Sequence, residues 1–291
     1  MTFKFIVTDF HKDKGNYSND YNESFQKMDG DLLILGSSRS AASLDTKLMT
    51  KELNLKSYNL AFTQSNMTYS YHLLKYYLAN SNKTPEYIIL DMSWFSFDKN
   101  RLSYKAYASY FVFNDFATFY KEFFSTRTNY IADGFITILR SLIRENQDYV
   151  DFQSHRTSKK RKYNEREKSY EFLPHDVGFL KTFPSGKSQI DALEITSYKK
   201  IIELAETNNI SLIIYTSPED ALFSKSQKNR DEVYDIIFKN CQNCMVLDYS
   251  LGGNHYSIDY ELLLEDSHHI YFNTLFTTYF LDDLREIIGL D

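Results

Sequence analysis

The chain has 291 residues, of which 43% are hydrophobic, so it is long enough to fold around a sizeable core without disulfides or metals. Its net charge of −6 argues against a nucleic-acid-binding protein, because binding to phosphate backbones requires a dominant basic surface. No window approaches the ~18 to 20 continuous apolar residues of a membrane span, and the N-terminus lacks the apolar core of a signal peptide.

The first third of the chain predicts strands that alternate with helices. After a polar N-terminal arm at residues 1–29, apolar runs of strand length alternate with segments of helical periodicity. The predicted strands are residues 32–35, 57–62 and 87–93, and the predicted helices are residues 44–53 and 67–78. The runs LLIL and YIIL are continuously apolar, so both faces of these strands should be covered, as in a parallel sheet between helical layers.

The last hundred residues predict a second block of the same kind. Its predicted strands are residues 211–217 and 244–250, and its predicted helices are residues 192–207, 230–239 and 273–288. Together the blocks predict an α/β fold, a three-layer, flavodoxin-like sheet of five parallel strands. Cys241 and Cys244 end a helix and do not open one, so we interpret them as structural thiols or a local disulfide, and not as a redox centre.

An insertion separates the two blocks, which are residues 30–98 and 190–291 of one predicted α/β domain. Residues 99–189 begin with an aromatic segment of helical periodicity and continue into a charged loop. The aromatic side chains either pack the insertion against the core or shape a substrate pocket. The basic run KKRK at residues 159–162 is either solvated or a contact for an anionic polymer or membrane surface.

The turn after the first predicted strand is the most informative feature of the sequence. The run DLLIL ends at Gly36 and is followed by Ser37, Ser38 and Arg39. Glycine permits a tight turn, which would expose the hydroxyl of Ser38 ahead of a helix and place backbone N–H groups where they could hold an oxyanion. A serine in such a turn can also simply cap the helix. Ser38 is therefore either a nucleophile or a cap.

A base for Ser38 is predicted near the C-terminus. Asp266 and His269 have an Asp-x-x-His spacing just ahead of the last predicted helix, with His268 as an adjacent alternative. A serine nucleophile needs a base, and the base needs an acidic partner that fixes its tautomer and orientation. Three residues apart, Asp266 and His269 could meet. The predicted catalytic residues are Ser38, His269 and Asp266.

These motifs, taken in order, resemble the SGNH (GDSL-type) hydrolase superfamily. Gly36, Ser37 and Ser38 correspond to the Gly-Asp-Ser block of that family, which places the nucleophile at Ser38, and Asp266 and His269 correspond to its closing block. The phrases ILGSSRSAASLD, YNLAF and PEYIILDMS are similar to those of cell-envelope members, including D-alanyl-transfer proteins of teichoic acid and polysaccharide O-acetyltransferases. The insertion is not matched.

The resemblance is incomplete at the oxyanion hole. The glycine of the family's second block has no clear match after Asn59, and the asparagine of its third block is absent from the end of the third predicted strand. Gln64, which has an amide donor, and Ser93, which has a hydroxyl donor, are candidate substitutes. Removing a single oxyanion donor costs ~10²–10³ in rate, so these departures also fit an inactive relative.

Two further side chains are candidates for contact with a substrate. Arg39 could anchor a carboxylate or phosphate, or it could be solvated or form an intramolecular ion pair. Trp94, the only tryptophan, could stack on a sugar ring, or it could pack in the core or form an apolar pocket wall. The adjacent acidic residues Glu219 and Asp220 are interpreted as solvated.

The resemblance implies a serine-dependent acyl esterase or O-acyltransferase that acts on an acylated cell-envelope glycan or related polymer through an acyl-Ser38 intermediate. The alternative is a catalytically inactive SGNH-like binding or assembly protein of envelope polysaccharide biosynthesis. No cofactor or metal is predicted, because the sequence has no phosphate-binding loop and no His-x-x-x-His zinc spacing. The resemblance implies an extracytoplasmic location, as the soluble portion of an anchored protein beside membrane-associated envelope machinery, while a cytoplasmic location stays open.

Overall fold

A computed structural model describes residues 28–61, 65–98, 187–219, 225–250 and 273–290 of the chain. The strands are β1 Leu32–Leu35, β2 Ser57–Asn59, β3 Tyr87–Asp91, β4 Ser211–Thr216 and β5 Met245–Asp248. The helices are α1 Ser38–Ser43, α2 Thr46–Leu53, α3 Met67–Asn80, α4 Ala192–Thr207, α5 Arg230–Asn240 and α6 Asn273–Ile288. Strands and helices follow the predicted order, with α1 as an additional short helix.

The five strands form one parallel sheet in the order β2-β1-β3-β4-β5, which confirms the predicted α/β architecture. The chain passes from β1 to β2 on one side and then crosses β1 to form β3 on the other side. The direction of winding therefore reverses between β1 and β3. In open α/β sheets, ligands bind in the crevice at the carboxyl ends of the strands where this reversal occurs.

Alternate residues of the strands enter two cores, one on each face of the sheet. Leu33 and Ile88 lie in the core that α3, α4 and α5 cover, whereas Leu32 and Ile89 lie in the core that α2 and α6 cover. All four side chains are fully buried. Burial on both faces explains why the strand sequences are continuously apolar. The result is a sheet between two helical layers.

Several element boundaries differ from the prediction by one to three residues, and at two of them polar side chains end or begin the element. Helix α2 begins at Thr46, because Asp45 caps it by accepting hydrogen bonds from the backbone N–H groups of Lys47 (3.0 Å) and Leu48 (3.3 Å). Strand β2 ends at Asn59, whose side-chain amide donates to the Ser40 carbonyl at 2.9 Å. Asn59 thus ties the end of β2 to helix α1.

The start of α3 is fixed against α4 beside the carboxyl edge of the sheet. Asn66 caps α3 by accepting a hydrogen bond from the Tyr69 N–H at 3.0 Å, and its amide donates to the buried Glu194 carboxylate at 2.9 Å. The Thr68 N–H donates to the other Glu194 oxygen at 2.9 Å. Glu194 belongs to α4, so this buried network joins the two sequence blocks close to β1.

Cys241 and Cys244 form a disulfide between α5 and β5, which is one of the two structural roles predicted for them. Among the residues described, no helix combines the length and apolar character that a bilayer span requires. The predicted arm at residues 1–29 and the insertion at residues 99–189 lie almost wholly outside the described residues.

Candidate active site

Ser38 is the first residue of α1 and lies directly beyond the carboxyl end of β1. It is partly exposed, whereas Ser37, Arg39 and Ser40 on either side are buried. The helix cap is Ser37, whose hydroxyl accepts a hydrogen bond from the Arg39 N–H at 3.3 Å. Ser38 is therefore not the cap of α1, and within this turn it is the serine that solvent reaches.

Asp91, the last residue of β3, holds the turn that carries Ser38. Its Oδ2 atom accepts hydrogen bonds from the Ser37 hydroxyl at 2.9 Å, the Ser37 N–H at 3.2 Å and the Ser40 N–H at 3.3 Å. Burial raises the pKa of Asp91, although the charge of Arg39 and the hydrogen bonds from the turn oppose this shift. The shape of the turn is thus set by the neighbouring strand.

Gly36 allows this close contact between the turn and β3. Its φ is +143°, and a Cβ atom at this position would lie 2.4 Å from Cβ of Asp91 and 2.9 Å from Oγ of Ser40. A side chain would therefore be strained by the backbone and would also collide with Asp91. The hydroxyl of Ser65, just before α3, donates to the Gly36 carbonyl and closes the turn from the other side.

Arg39 forms a buried ion pair that links the turn to β4. Its Nη1 atom lies 2.5 Å from Oε1 of Glu219, and its Nη2 donates to the carbonyls of Ser217 (2.5 Å) and Pro218 (3.0 Å). Burial disfavours the charged guanidinium, but the Glu219 carboxylate outweighs it and raises the pKa of Arg39. Of the roles left open for Arg39, the structure contains the intramolecular ion pair. The interpretation of Glu219 as solvated is wrong, because its side chain is fully buried.

Ser93 and Trp94 follow β3 at the same edge of the sheet. Ser93 is buried, and its N–H donates to the Ser96 hydroxyl at 2.8 Å in a tight turn. Trp94 is half-buried, packs edge-on against Phe95 with ring centroids 5.4 Å apart and contacts the core under α3. Trp94 thus takes part in core packing and keeps an exposed portion.

Three predicted site residues lie outside the described residues: Gln64, Asp266 and His269. Of the predicted site residues that are described, Ser38 and Arg39 follow β1, and Ser93 and Trp94 follow the adjacent strand β3. In the part of the chain that is described, no three His, Cys, Asp or Glu side chains converge as metal ligands would.

Sequence reasoning did not assign the roles of Asp91 and Glu219. A local signal for Asp91 was its position, since a carboxylate that directly follows the apolar run of β3 lies at the carboxyl edge of the sheet, where β3 ends beside β1. No sequence feature marked the role of Glu219, because it is 180 residues from Arg39 in sequence and contacts it only in the folded protein.

No protein-family model matches the chain, and no curated protein sequence matches it. Among the solved structures that match is a crystal structure of a Bacteroides fragilis protein whose assignment as an acylhydrolase is itself provisional. It is 10% identical, with a TM-score of 0.45 over 95% of this chain and 100% of that chain, which is too distant to carry a functional argument. The sheet itself defines the class: a doubly wound α/β protein with a serine-bearing turn at its switch point.

Proposed function

We propose that the protein is a serine-dependent acyl esterase or O-acyltransferase of the SGNH type that acts on an acylated glycan or related polymer of the cell envelope. The observation that carries this proposal is the partial exposure of Ser38 in a turn whose other polar residues are buried, with Ser37 and Ser40 held by Asp91 and Arg39 held by Glu219. A nucleophile needs such a rigid, solvent-facing position at the ligand-binding edge. The sequence motif supplies His269 as its base and Asp266 as the partner of His269.

In the proposed reaction the hydroxyl oxygen of Ser38 attacks the acyl carbonyl carbon while His269 accepts the hydroxyl proton. Asp266 orients His269 and stabilises the imidazolium that forms. The tetrahedral intermediate then breaks its bond to the sugar oxygen, which takes the proton from His269, and the acyl group remains on Ser38. Water or a second sugar hydroxyl, deprotonated by His269, then attacks this ester. The bond between the acyl carbon and the Ser38 oxygen breaks, and Ser38 takes the proton from His269, which completes hydrolysis or transfer.

A second candidate is a non-catalytic envelope protein that retains the fold. One observation favours it: the N–H groups of Ser37 and Ser40 are already bonded to the Asp91 carboxylate. These two groups are therefore engaged and cannot serve as oxyanion donors without rearrangement of the turn. This alternative no longer gains support from capping, because Ser37 caps α1 in place of Ser38.

Covalent labelling with a small fluorophosphonate distinguishes the two candidates. An activated serine displaces fluoride from phosphorus and retains the phosphonyl group, whereas an unactivated hydroxyl reacts negligibly. We expect labelling of the wild-type protein, no labelling of Ser38→Ala, and labelling slowed roughly 10²–10⁴-fold in His269→Ala, which lacks the base. Mass spectrometry of the labelled peptide identifies the modified residue.

Two variants serve as matched controls for this experiment. Ser81→Ala removes a serine that follows the last turn of α3 and whose hydroxyl donates to the Lys83 carbonyl at 3.0 Å. His268→Ala removes the histidine next to His269. Both should label at the wild-type rate. A folded wild-type protein that does not label would favour the non-catalytic candidate.

A further inference from the structure

A second arginine lies beside the buried pair of Arg39 and Glu219. Arg230, the first residue of α5, has its Nε atom 3.6 Å from Oε2 of Glu219, while Arg39 holds the other oxygen of the same carboxylate at 2.5 Å. Two guanidinium groups therefore share one carboxylate. Of these three residues at the carboxyl end of β4, two are cations and one is an anion, and the carboxylates of Asp91, beside Arg39, and of Asp231, beside Arg230, lie near them.

The hydrogen-bonding capacity of Arg230 is largely unused. The Nε and Nη2 atoms are buried and have no hydrogen-bond partner within the described part of the chain. Its Nη1 atom lies 3.8 Å from the carboxylate of Asp231, but that side chain is fully exposed, so the contact is weakened by solvent. A buried guanidinium N–H without an acceptor is costly, because it has lost water and gained no bond in return.

Tyr234 adds a second unused donor at the same place. The Arg230 guanidinium stacks on its ring at 4.2 Å, and the Tyr234 hydroxyl is buried without a hydrogen-bond partner among the described residues. Burial raises the pKa of Tyr234, so its hydroxyl keeps its proton at neutral pH and can donate. The site thus offers unused hydrogen-bond donors from two side chains.

The N-terminus of α5 lies at the same place and has backbone N–H groups that its cap residue does not bond. Its cap residue, Asn229, makes no side-chain capping bond, because its amide and carbonyl are bonded to the backbone of Ser188 at 2.9 Å each. The N–H groups at the start of the helix are therefore not satisfied by its own cap residue, while Asp231 and Glu232 in the first turn offset part of the positive end of the helix dipole.

From this arrangement we propose that Arg230 and Tyr234 form a binding site for an oxyanion, a carboxylate or a phosphate group of the substrate. A guanidinium presents two parallel N–H groups that match the two oxygens of such an anion. The site adjoins the nucleophile turn, because Arg39 directly follows Ser38 and shares Glu219 with Arg230. Its role as a substrate subsite rests on the proposed function and implies an anionic polymer, whereas the binding of an anion does not depend on that function.

Calorimetric titration with inorganic phosphate, at an ionic strength held constant with chloride, tests the site directly. We expect saturable binding to the wild-type protein and to Ser38→Ala, because Ser38 is not part of the anion site. Arg230→Gln should weaken binding about tenfold or more, since it loses both the charge and the paired donors. Tyr234→Phe, which keeps the stacked ring, should weaken it about threefold or more.

The control is Arg285→Gln, which removes an arginine on α6 that is bonded to Glu52 and Asp282. It should bind phosphate as the wild type does. Absence of saturable binding of both phosphate and succinate by the wild type, or equal affinities of Arg230→Gln and Arg285→Gln for the anion that binds, would overturn the proposal. If Arg230→Gln does not fold, Arg230→Lys takes its place, because it keeps the positive charge but lacks the paired N–H groups of a guanidinium. Wild-type affinity for the anion in both Arg230→Lys and Tyr234→Phe would then also overturn the proposal.

A parallel titration with succinate separates the two chemical sources of the anion. Binding of phosphate alone indicates a phosphate-bearing polymer, and binding of succinate alone indicates a carboxylate-bearing one; either result supports the site. Anion binding without fluorophosphonate labelling would support the anion site and overturn the catalytic proposal. The two proposals can therefore be tested independently of each other.

Discussion

One oxygen of Asp91 organises the turn that presents Ser38. It accepts hydrogen bonds from Ser37 and Ser40, while the other oxygen has no hydrogen-bond partner among the residues described. A proton can therefore reside on the second oxygen without breaking any bond to the turn. This geometry agrees with a pKa that burial raises above its ordinary value of 3.8.

The raised pKa of Asp91 predicts a specific dependence of stability on pH. Asp91 loses its proton near pH 3.8 in the unfolded chain but only at a higher pH in the folded protein. Its contribution to stability is therefore full below pH 3.8 and declines as pH rises through the folded pKa. Relative to Asp91→Asn, the wild type should lose up to about 1.4 kcal/mol per pH unit within that window. Urea unfolding of both proteins over a series of pH values measures the difference.

Asp31→Asn is a control of opposite sign. Burial would raise the pKa of Asp31, but hydrogen bonds from Lys83 and from the Lys56 N–H outweigh it and lower the pKa below 3.8. Its contribution to stability is therefore present above 3.8 and lost as pH falls through the folded value. A difference between wild type and Asp91→Asn that stays constant above 3.8 would contradict the role assigned to Asp91.

At the scale of elements, the connection between β1 and α1 depends on Gly36. Gly36→Ala should lower the free energy of unfolding by about 3 kcal/mol or more, because it combines a strained positive φ with a collision against Asp91. It should also slow fluorophosphonate labelling, since the collision displaces the turn that carries Ser38. Denaturant unfolding and labelling rates measure the two effects.

Gly289 provides the matched substitution. Its φ is also positive, at +69°, but an added Cβ would meet no atom within 4 Å. Gly289→Ala should therefore cost only the backbone strain, about 1–2 kcal/mol, and leave labelling unchanged. Equal losses of stability in the two variants would show that the contact between Gly36 and Asp91 is not tight.

The elements could be predicted well because their signals are local. Apolar runs covered on both faces predicted every strand of the described sheet, and helical periodicity predicted five of the six helices found among the described residues. Two of the boundary errors occur where a single polar side chain intervenes, as Asp45 does at the start of α2 and Asn59 does at the end of β2. The site could be predicted only in part, since the pairing of Arg39 with Glu219 depends on how β1 and β4 are placed in the sheet.

At the scale of the whole molecule, the two sequence blocks form one sheet. Strand β3 of the first block pairs with β4 of the second along its entire length, from Tyr87 with Ser211 to Asp91 with Tyr215. Buried side chains of β1, β3 and β4 enter both cores. Strands of both blocks contribute to each core, so unfolding of one block would expose apolar side chains of the other. The described sheet should therefore unfold as one cooperative unit.

Native-state hydrogen exchange measures this cooperativity. Backbone amides in β1, β3 and β4 should exchange with the same, highest free energy of opening, because they are released only by global unfolding. Edge strand β5, in which Val246 is 38% exposed, should exchange more readily and serves as the internal comparison. If β1 opened at a lower free energy than β4, the blocks would be separate units.

Trp94 is an intrinsic fluorescence probe of the carboxyl edge of the sheet. It is the only tryptophan of the chain and stands beyond β3, next to Phe95, whose ring centroid lies 6.0 Å from Cζ of Arg39. Its emission therefore comes from a single position at the carboxyl edge of the sheet and carries no background from other indoles. A change in that emission when an acylated glycan is added would follow occupancy of this edge in real time, without a label.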